Sequence, residues 1–299
     1  MKIPYLNDAF FSRLESLVLL LKKDLSGYFG GKHLVRTYGQ TVEFADYREY
    51  QLGDDIRRID WNLYSRFEKY FLKLFTDERQ MHIRVFLDCS ASMGNDAPQK
   101  SAYAIAMAAA IGYLAVHNMD KVSFYLMRGD RAENPFGTIV GKRAFFQAMG
   151  TLEQTHFDGE TDIAACVLGS GEIASGSGLS VILSDFFTES DWKKAADYLL
   201  FRRQQVILMQ PLLPEEVDPN YDGRYHLLDS EAGDISDRKN MRLHITHGMQ
   251  EAYADALRDF REEIRSYCVT REIAYLCLTT DQPIERALFG ELARGGIVS

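Results

Sequence analysis

MHIRVFLDCSASMG, residues 81–94, joins a strand-like run directly to a cluster of oxygen-bearing side chains. Ile83 to Leu87 is apolar but for Arg84 and is bounded by small residues, the pattern of a short strand buried on both faces. The run stops at Asp88, and hydroxyls follow at alternate positions, Ser90 and Ser92. Asp88 therefore falls where a strand ends and a loop opens, the place where open α/β sheets bind ligands. One carboxylate with two neutral hydroxyls suits a hard cation such as Mg²⁺. The same residues also suit a plainer role, with Asp88 capping the next helix and the serines serving the turn. Both readings fit these residues taken alone.

Outward from this run, strand-like and helix-like segments alternate. Ala97 to Asn118 is alanine-rich and helical, and Val122 to Met127 reads as a second buried strand. Helices follow over 142–152 and 162–174, a strand over 179–183, a helix over 191–202 and a strand over 205–209. A long amphipathic helix over 249–267 and a strand over 272–278 complete the pattern. Such alternation predicts βαβ units and a mainly parallel sheet covered on both faces. Residues 221–244 break it and read as a β-hairpin excursion. The Ser/Gly cluster of 169–178, GSGEIASGSG, follows a helix rather than a strand, which argues against a dinucleotide loop.

The first 80 residues differ in character. Leu14, Leu17, Leu21 and Leu25 recur at helical spacing, predicting an amphipathic helix over 8–26 that packs rather than lies on a membrane. Residues 30–80 interleave aromatic and charged side chains and read as a β-rich appendage. The expected division is thus 1–80, helix and appendage, and 81–299, the α/β domain.

The 299 residues allow one large or two ordinary domains. A net charge of −9 argues against general nucleic-acid binding and suits a protein that holds a cation or docks on a basic surface. Cys89, Cys166, Cys268 and Cys277 show no C-x-x-C spacing, so they predict buried, reduced thiols and a cytoplasmic setting rather than zinc. No segment approaches the roughly 20 apolar residues of a membrane span. Leu17 to Leu21 is closed by Lys22 and Lys23 and lacks a cleavage pattern, so no secretory signal is expected.

Two later segments supply further oxygens. Gly159-Glu160-Thr161-Asp162 precedes a helix, and Ser184-Asp185 ends a strand. In a parallel sheet both loops open on the same edge as Asp88. Thr161 or Asp162 could equally cap a helix, and Asp185 a turn. The set Asp88-x-Ser90-x-Ser92, Thr161, Asp185 resembles the metal-ion-dependent adhesion site of von Willebrand factor type A domains in all five positions and their order. The resemblance implies a Rossmann-like fold, hydroxyl ligation of Mg²⁺ or Mn²⁺ by Ser90, Ser92 and Thr161, and direct or water-mediated ligation by Asp88 and Asp185. It also implies an open coordination position for an acidic side chain of a protein partner.

The upstream segment is more specific still. GQTVEF (39–44), REY (48–50) and GDDIRRIDW (53–61) resemble the hallmark of domain-of-unknown-function family fifty-eight, which joins such a segment to a type A domain. LLDSEAGD (227–234) resembles that family's hairpin, while Ser65-Arg66 departs from the Ala-Arg of many members. This resemblance implies a non-enzymatic adaptor that accompanies a MoxR-type AAA ATPase in assembling or activating client complexes. In the segment itself, Arg48, Arg57, Arg58 and Arg66 amid Glu43, Asp54, Asp55 and Asp60 predict a charge-paired network with Trp61 packed beside it. Such a network would fix the appendage in place or dock a partner.

A competing reading is a metal-dependent phosphohydrolase with Asp88 as nucleophile. Haloacid-dehalogenase-type enzymes need a second aspartate two residues later, and here Ser90 stands there, unable to shuttle protons near neutral pH. No P-loop lysine, HExxH or G-x-S-x-G pattern is present. Cys89 has no histidine partner nearby in sequence. His244 and His247, three apart, straddle an expected strand–helix boundary and read as ordinary histidines rather than ligands.

Overall fold

The structure is a computed structural model that describes residues 7–21, 43–51, 54–76, 80–94, 98–171, 178–219, 223–227 and 241–288. Its contacts divide the chain into two compact units, 1–25 with 81–299, and 26–80. Helix α1 (Asp8–Leu21) belongs to the larger unit. The smaller unit contains β1 (Glu43–Glu49), α2 (Trp61–Phe67) and β2 (Phe71–Thr76). The larger unit continues with β3 (His82–Asp88), α3 (Pro98–His117), β4 (Lys121–Arg128), β5 (Arg131–Glu133), β6 (Ile139–Val140), α4 (Gly141–Leu152) and α5 (Ile163–Gly169). It is completed by β7 (Gly178–Leu183), α6 (Trp192–Phe201), β8 (Gln204–Leu212), α7 (Pro214–Val217), β9 (Gly223–Leu227), β10 (Met241–Ile245), α8 (His247–Val269) and β11 (Ala274–Thr279). No helix among the described residues is long and apolar enough to cross a membrane.

The central sheet runs β11-β8-β7-β3-β4-β5, with β6 also on β4. Its first five strands are mutually parallel, while β5 and β6 are antiparallel to β4. This is the mainly parallel α/β sheet the alternation predicts. Taken in chain order, its parallel strands stand in space as second, first, third, fourth, fifth. The direction in which strands are added therefore reverses between β3 and β7, and a crevice opens beyond their carboxyl ends. Residues 83–87 end on one side of that crevice and 179–183 on the other.

Both faces are covered. On one, Phe86, Ile182 and Leu208 form a core with Ile163 and Cys166 of α5, Trp192, Ala195 and Leu199 of α6, and Ile264 and Cys268 of α8. Alternation along the strand turns Val85 and Leu87 to the opposite face, where α3 packs against β3 and β4. α3 approaches closely because alanine is the commonest of its buried residues. At Gly112 even a methyl group would not fit, since a Cβ there would lie 2.5 Å from Phe124 Cζ and 2.9 Å from Phe145 Cε2. α4 and α1 cover the outer side of α3, with Phe11 of α1 packed 4.8 Å from the Tyr113 ring.

Three expectations need correction. The N-terminal helix does not group with the following appendage: Phe10, Phe11 and Leu14 are buried within the larger unit. Their apolar face has a ready surface in α3, which outweighs proximity in sequence. The described part of the appendage holds a helix as well as strands, which its aromatic pattern does not predict. Its described part is one antiparallel pair, β1–β2, with a 3-10 turn at Ile56–Arg58 and the helix α2. Finally, β5 and β6 were not expected; both are short and exposed in part, so neither carries a buried-strand pattern. β9 and β10 pair antiparallel, as the 221–244 excursion predicts. Most of the quoted 227–234 segment lies outside the described residues.

Candidate functional site

The crevice at the β3/β7 reversal collects the predicted oxygen ligands. Asp88 ends β3 almost wholly buried. Its Oδ1 accepts the Ser90 N–H at 3.0 Å, and its Oδ2 accepts the Ser184 hydroxyl at 2.6 Å. The Thr161 hydroxyl, 3.5 Å from the Met127 carbonyl, lies close enough to this carboxylate to help lower its pKa. Ser90 precedes a 3-10 turn, Ala91–Met93, which swings Ser92 back so that the two hydroxyls lie 3.1 Å apart. Asp185 follows β7; its Oδ1 accepts the Phe187 N–H at 3.0 Å, and its backbone carbonyl accepts the Gln210 amide at 2.7 Å.

The turn and ligand readings of these residues turn out to be compatible. One oxygen of Asp88 and one of Asp185 serve local turns, which leaves the other oxygen of each directed at side chains. In the third loop the roles fall on adjacent residues. Asp162 caps α5 by accepting the Ala165 N–H at 3.0 Å, so Thr161 is left to face Asp88. Asp88 does not cap the long helix, which starts only at Pro98.

Backbone bonds staple the loops together. Ala91 N–H donates to Gly159 carbonyl at 2.8 Å, and Asp158 N–H to Cys89 carbonyl at 2.9 Å. Thr188 Oγ1 donates to Thr161 carbonyl at 3.0 Å. A Cβ at Gly94 would sit 2.4 Å from that of Phe157, so glycine permits the close approach of these two loops. Phe186 holds a left-handed backbone, φ 59°, rare for a bulky residue. Its N–H donates to Ser184 Oγ at 2.9 Å and its ring is buried 5.6 Å from Trp192, which together stabilise that conformation.

Electrostatics make the crevice hungry for cations. Burial raises the Asp88 carboxyl above its ordinary value, with repulsion from Asp185 adding to it; the Ser184, Ser90 and Thr161 hydrogen bonds pull it back. One cation is already built in. Lys100, in the first turn of α3, is fully buried, and its ammonium donates to Asp185 Oδ2 at 2.7 Å, Glu216 Oε1 at 2.8 Å and the Ser92 carbonyl at 3.3 Å. Burial alone would lower this amine, but Asp185 and Glu216 overcome it and hold it above its usual value. Burial also pushes the Cys89 thiol far up, which makes it inert as a nucleophile.

The donor set fits a hard divalent ion. Hydroxyls of Ser90, Ser92 and Thr161 surround two buried carboxylates whose mutual repulsion a single ammonium offsets only in part. Among the described residues no group of three or more His, Cys, Asp or Glu is arranged to hold a metal. An ion here would therefore depend on the hydroxyl oxygens. Sequence reasoning missed Lys100 and Glu216, and it named Ser184 only as the end of a strand. Lys100 did leave a signal, as the sole Lys, Arg, Asp or Glu in twenty helical residues.

Among the described residues the expected charge network of the appendage shows one ion pair. Arg48 pairs with Asp54 at 2.7 Å, and Asp54 also accepts the Gln51 N–H at 2.8 Å. Asp55 and Asp60 also cap local structure: Asp55 accepts the Arg57 N–H at 3.0 Å, and Asp60 the Asn62 N–H at 2.9 Å and the Tyr47 hydroxyl at 3.2 Å. Nearby backbone donors hold these carboxylates at less entropic cost than a long arginine would. Arg57 and Arg66 are exposed and form no ion pair with a described residue. Trp61 is 59% exposed rather than packed beside charges, its ring edge-on to Tyr64 and Tyr70. Glu43 pairs with Thr76 in the β1–β2 ladder, and Arg58 lies in the 3-10 turn. His247 opens α8 beside Glu251, 3.5 Å away, while His244 lies on β10, so the two histidines do not share a helix face.

These features define an α/β protein with a hydroxyl- and carboxylate-lined crevice at the reversal of its parallel sheet. The family model described as "Protein of unknown function DUF58" matches residues 46–262, and the chain belongs to that family. Uncharacterized proteins of Mycobacterium bovis and Mycobacterium tuberculosis are 27% identical over 225 residues, 74% of this chain and 70% of theirs. Among solved structures the chain is similar to the conserved hypothetical protein BatB from Bacteroides thetaiotaomicron, with 15% identity, 73% of this chain and 100% of that one covered, and a TM-score of 0.42. It is also similar to a von Willebrand factor type A protein from Catenulispora acidiphila, with 10% identity, 74% and 43% covered, and a TM-score of 0.38.

Proposed function

We propose that this protein is a non-enzymatic interaction module in which Asp88, Ser90, Ser92, Thr161 and Asp185 hold Mg²⁺ or Mn²⁺ and present it to a carboxylate on a protein partner. The observation that carries this reading is the meeting of these oxygens beyond the ends of β3 and β7, stapled by hydrogen bonds between three loops. When bound, the ion supplies an electrophilic point that a carboxylate oxygen can occupy. The neutral hydroxyls of Ser90 and Ser92 leave much of its charge uncancelled, and the β7 loop holds Asp185 rigidly through Phe187 and Gln210. Binding rather than turnover is supported by the residues at hand: position 90 offers a hydroxyl where a phosphohydrolase needs an acid, and the Cys89 thiol is inert.

The family resemblance supports a MoxR-type AAA ATPase, or a client on which such an ATPase acts, as the partner. Free, buried thiols at Cys89, Cys166 and Cys268 support a cytoplasmic setting. The test is titration of the full chain with Mn²⁺ by calorimetry, followed by binding to a purified MoxR-type ATPase in Mg²⁺ and in chelator. Wild type should bind both, and Asp88→Asn should lose both. Partner binding that is equal in Mg²⁺ and chelator, and equal for Asp88→Asn, would overturn the ion-bridge reading.

A further inference from the structure

Lysine is almost never fully buried unless paired, and Lys100 is fully buried at the rim of the candidate ion site. An ammonium has three hydrogens, and all three are taken: by Asp185, by Glu216 and by the Ser92 carbonyl. These acceptors sit on the loops after β7, β8 and β3 respectively, so one cation ties together three loops of the crevice. Two of them, Ser92 and Asp185, also belong to the proposed ion-binding set. The third lies to one side. Glu216 uses its other oxygen to accept the Leu213 N–H at 2.7 Å, closing the short helix α7, and its carbonyl accepts the Tyr253 hydroxyl of α8 at 3.0 Å.

The charges are informative. Asp88, Asp185 and Glu216 bring three carboxylates together, and Lys100, paired with two of them, offsets one of the three charges. A divalent ion added to this set would balance it. It would also share Asp185 with the ammonium, and like charges in a buried site repel strongly. Glu216 gives the ammonium a second anion to lean on, away from Asp88.

From these contacts we infer that Lys100 is the resident counter-cation of the crevice, a positioning residue that sets its affinity for divalent ions by competing for Asp185, with Glu216 as the acceptor that draws it aside. The inference rests on the ion-site reading above. It accounts for a buried lysine shared between the β7 and β8 loops, and it makes ion binding weak and reversible rather than structural. It also couples ion arrival to the α7 turn, because Glu216 caps that turn with the same carboxylate that holds the ammonium.

The test is a double-mutant cycle read by Mn²⁺ calorimetry on the full chain, with far-UV circular dichroism confirming the fold. Lys100→Met should bind Mn²⁺ about tenfold more tightly or better. Glu216→Gln should weaken binding in the wild-type background and have a much smaller effect when combined with Lys100→Met. A lysine with a purely structural role would lower stability without tightening Mn²⁺ binding. If Lys100→Met does not fold, Lys100→Gln keeps a donor in place and should still tighten binding. Unchanged Mn²⁺ affinity in the lysine variants, with binding still lost in Asp88→Asn, would overturn this inference and leave the ion site standing. Absence of Mn²⁺ binding in wild type and lysine variants alike would overturn both.

Discussion

Ser184 joins the two halves of the crevice: its hydroxyl donates to Asp88 Oδ2 at 2.6 Å across the β3/β7 seam and accepts the Phe186 N–H at 2.9 Å. The residue is fully buried, so neither partner can turn to water if the hydroxyl is removed. Ser184→Ala should therefore cost about 1–3 kcal/mol of stability, measured by urea unfolding. It should also weaken Mn²⁺ binding, because Asp88 loses the bond that orients it and Phe186 loses support for its left-handed backbone. Full stability in the variant would mean that the hydroxyl does not carry these two bonds.

Gly112 sets two opposed effects against each other. An exposed helix glycine replaced by alanine gains about 1 kcal/mol. Here the added methyl would meet Phe124 Cζ at 2.5 Å and Phe145 Cε2 at 2.9 Å, both on fully buried rings. Overpacking of this kind costs about 1–3 kcal/mol. Gly112→Ala should thus lower the unfolding midpoint, and a rise would show that α3 can move off the sheet freely.

The central run at 83–87, its neighbours and the strand end at Asp88 were legible because buried parallel strands write themselves as apolar runs ended by polar residues. Thr161 and Asp185 were legible only together, since each alone also reads as a cap, and Asp162 and one oxygen of Asp185 do act that way. Ser184 was hidden for a different reason. A serine ending a strand has no pattern of its own, and its role exists only once β3 and β7 are adjacent. Lys100 and Glu216 lie 116 positions apart, and no local rule connects them. In the appendage, acidic and basic residues alternate closely enough to suggest ion pairs, and Asp55 and Asp60 are also captured by backbone N–H groups two residues on.

That capture predicts a separation between neighbouring signature residues. Asp60→Ala removes the cap of α2 and the Tyr47 partner, and should cost about 1–2 kcal/mol. Arg66→Ala, at an exposed position, should stay within about 0.5 kcal/mol of wild type. Thermal unfolding of the full chain checks both. If Arg66→Ala keeps wild-type stability and loses partner binding, the signature's basic side chains are docking groups. If it destabilises as much as Asp60→Ala, they hold the appendage together.

His82 gives the fold a defined acid sensitivity, at the edge of the sheet opposite the crevice. Arg84 donates to its Nδ1 at 3.1 Å, so Nε2 carries the proton and faces Ser123 Oγ at 2.9 Å. A second proton would have to be placed against the guanidinium. Burial first, and then the charges of Arg84 and Lys121, bring the imidazole down from 6.5 to about 4. The folded state thus binds fewer protons than the unfolded chain between those values. Stability is fully present above the unfolded value and is lost as pH falls from about 6.5 towards about 4. Partial exposure of the ring reduces the size of the effect to roughly 2 kcal/mol. Urea midpoints at pH 7.5 and pH 5 should differ less for His82→Gln than for wild type. An equal difference in both proteins would assign the acid sensitivity to other groups.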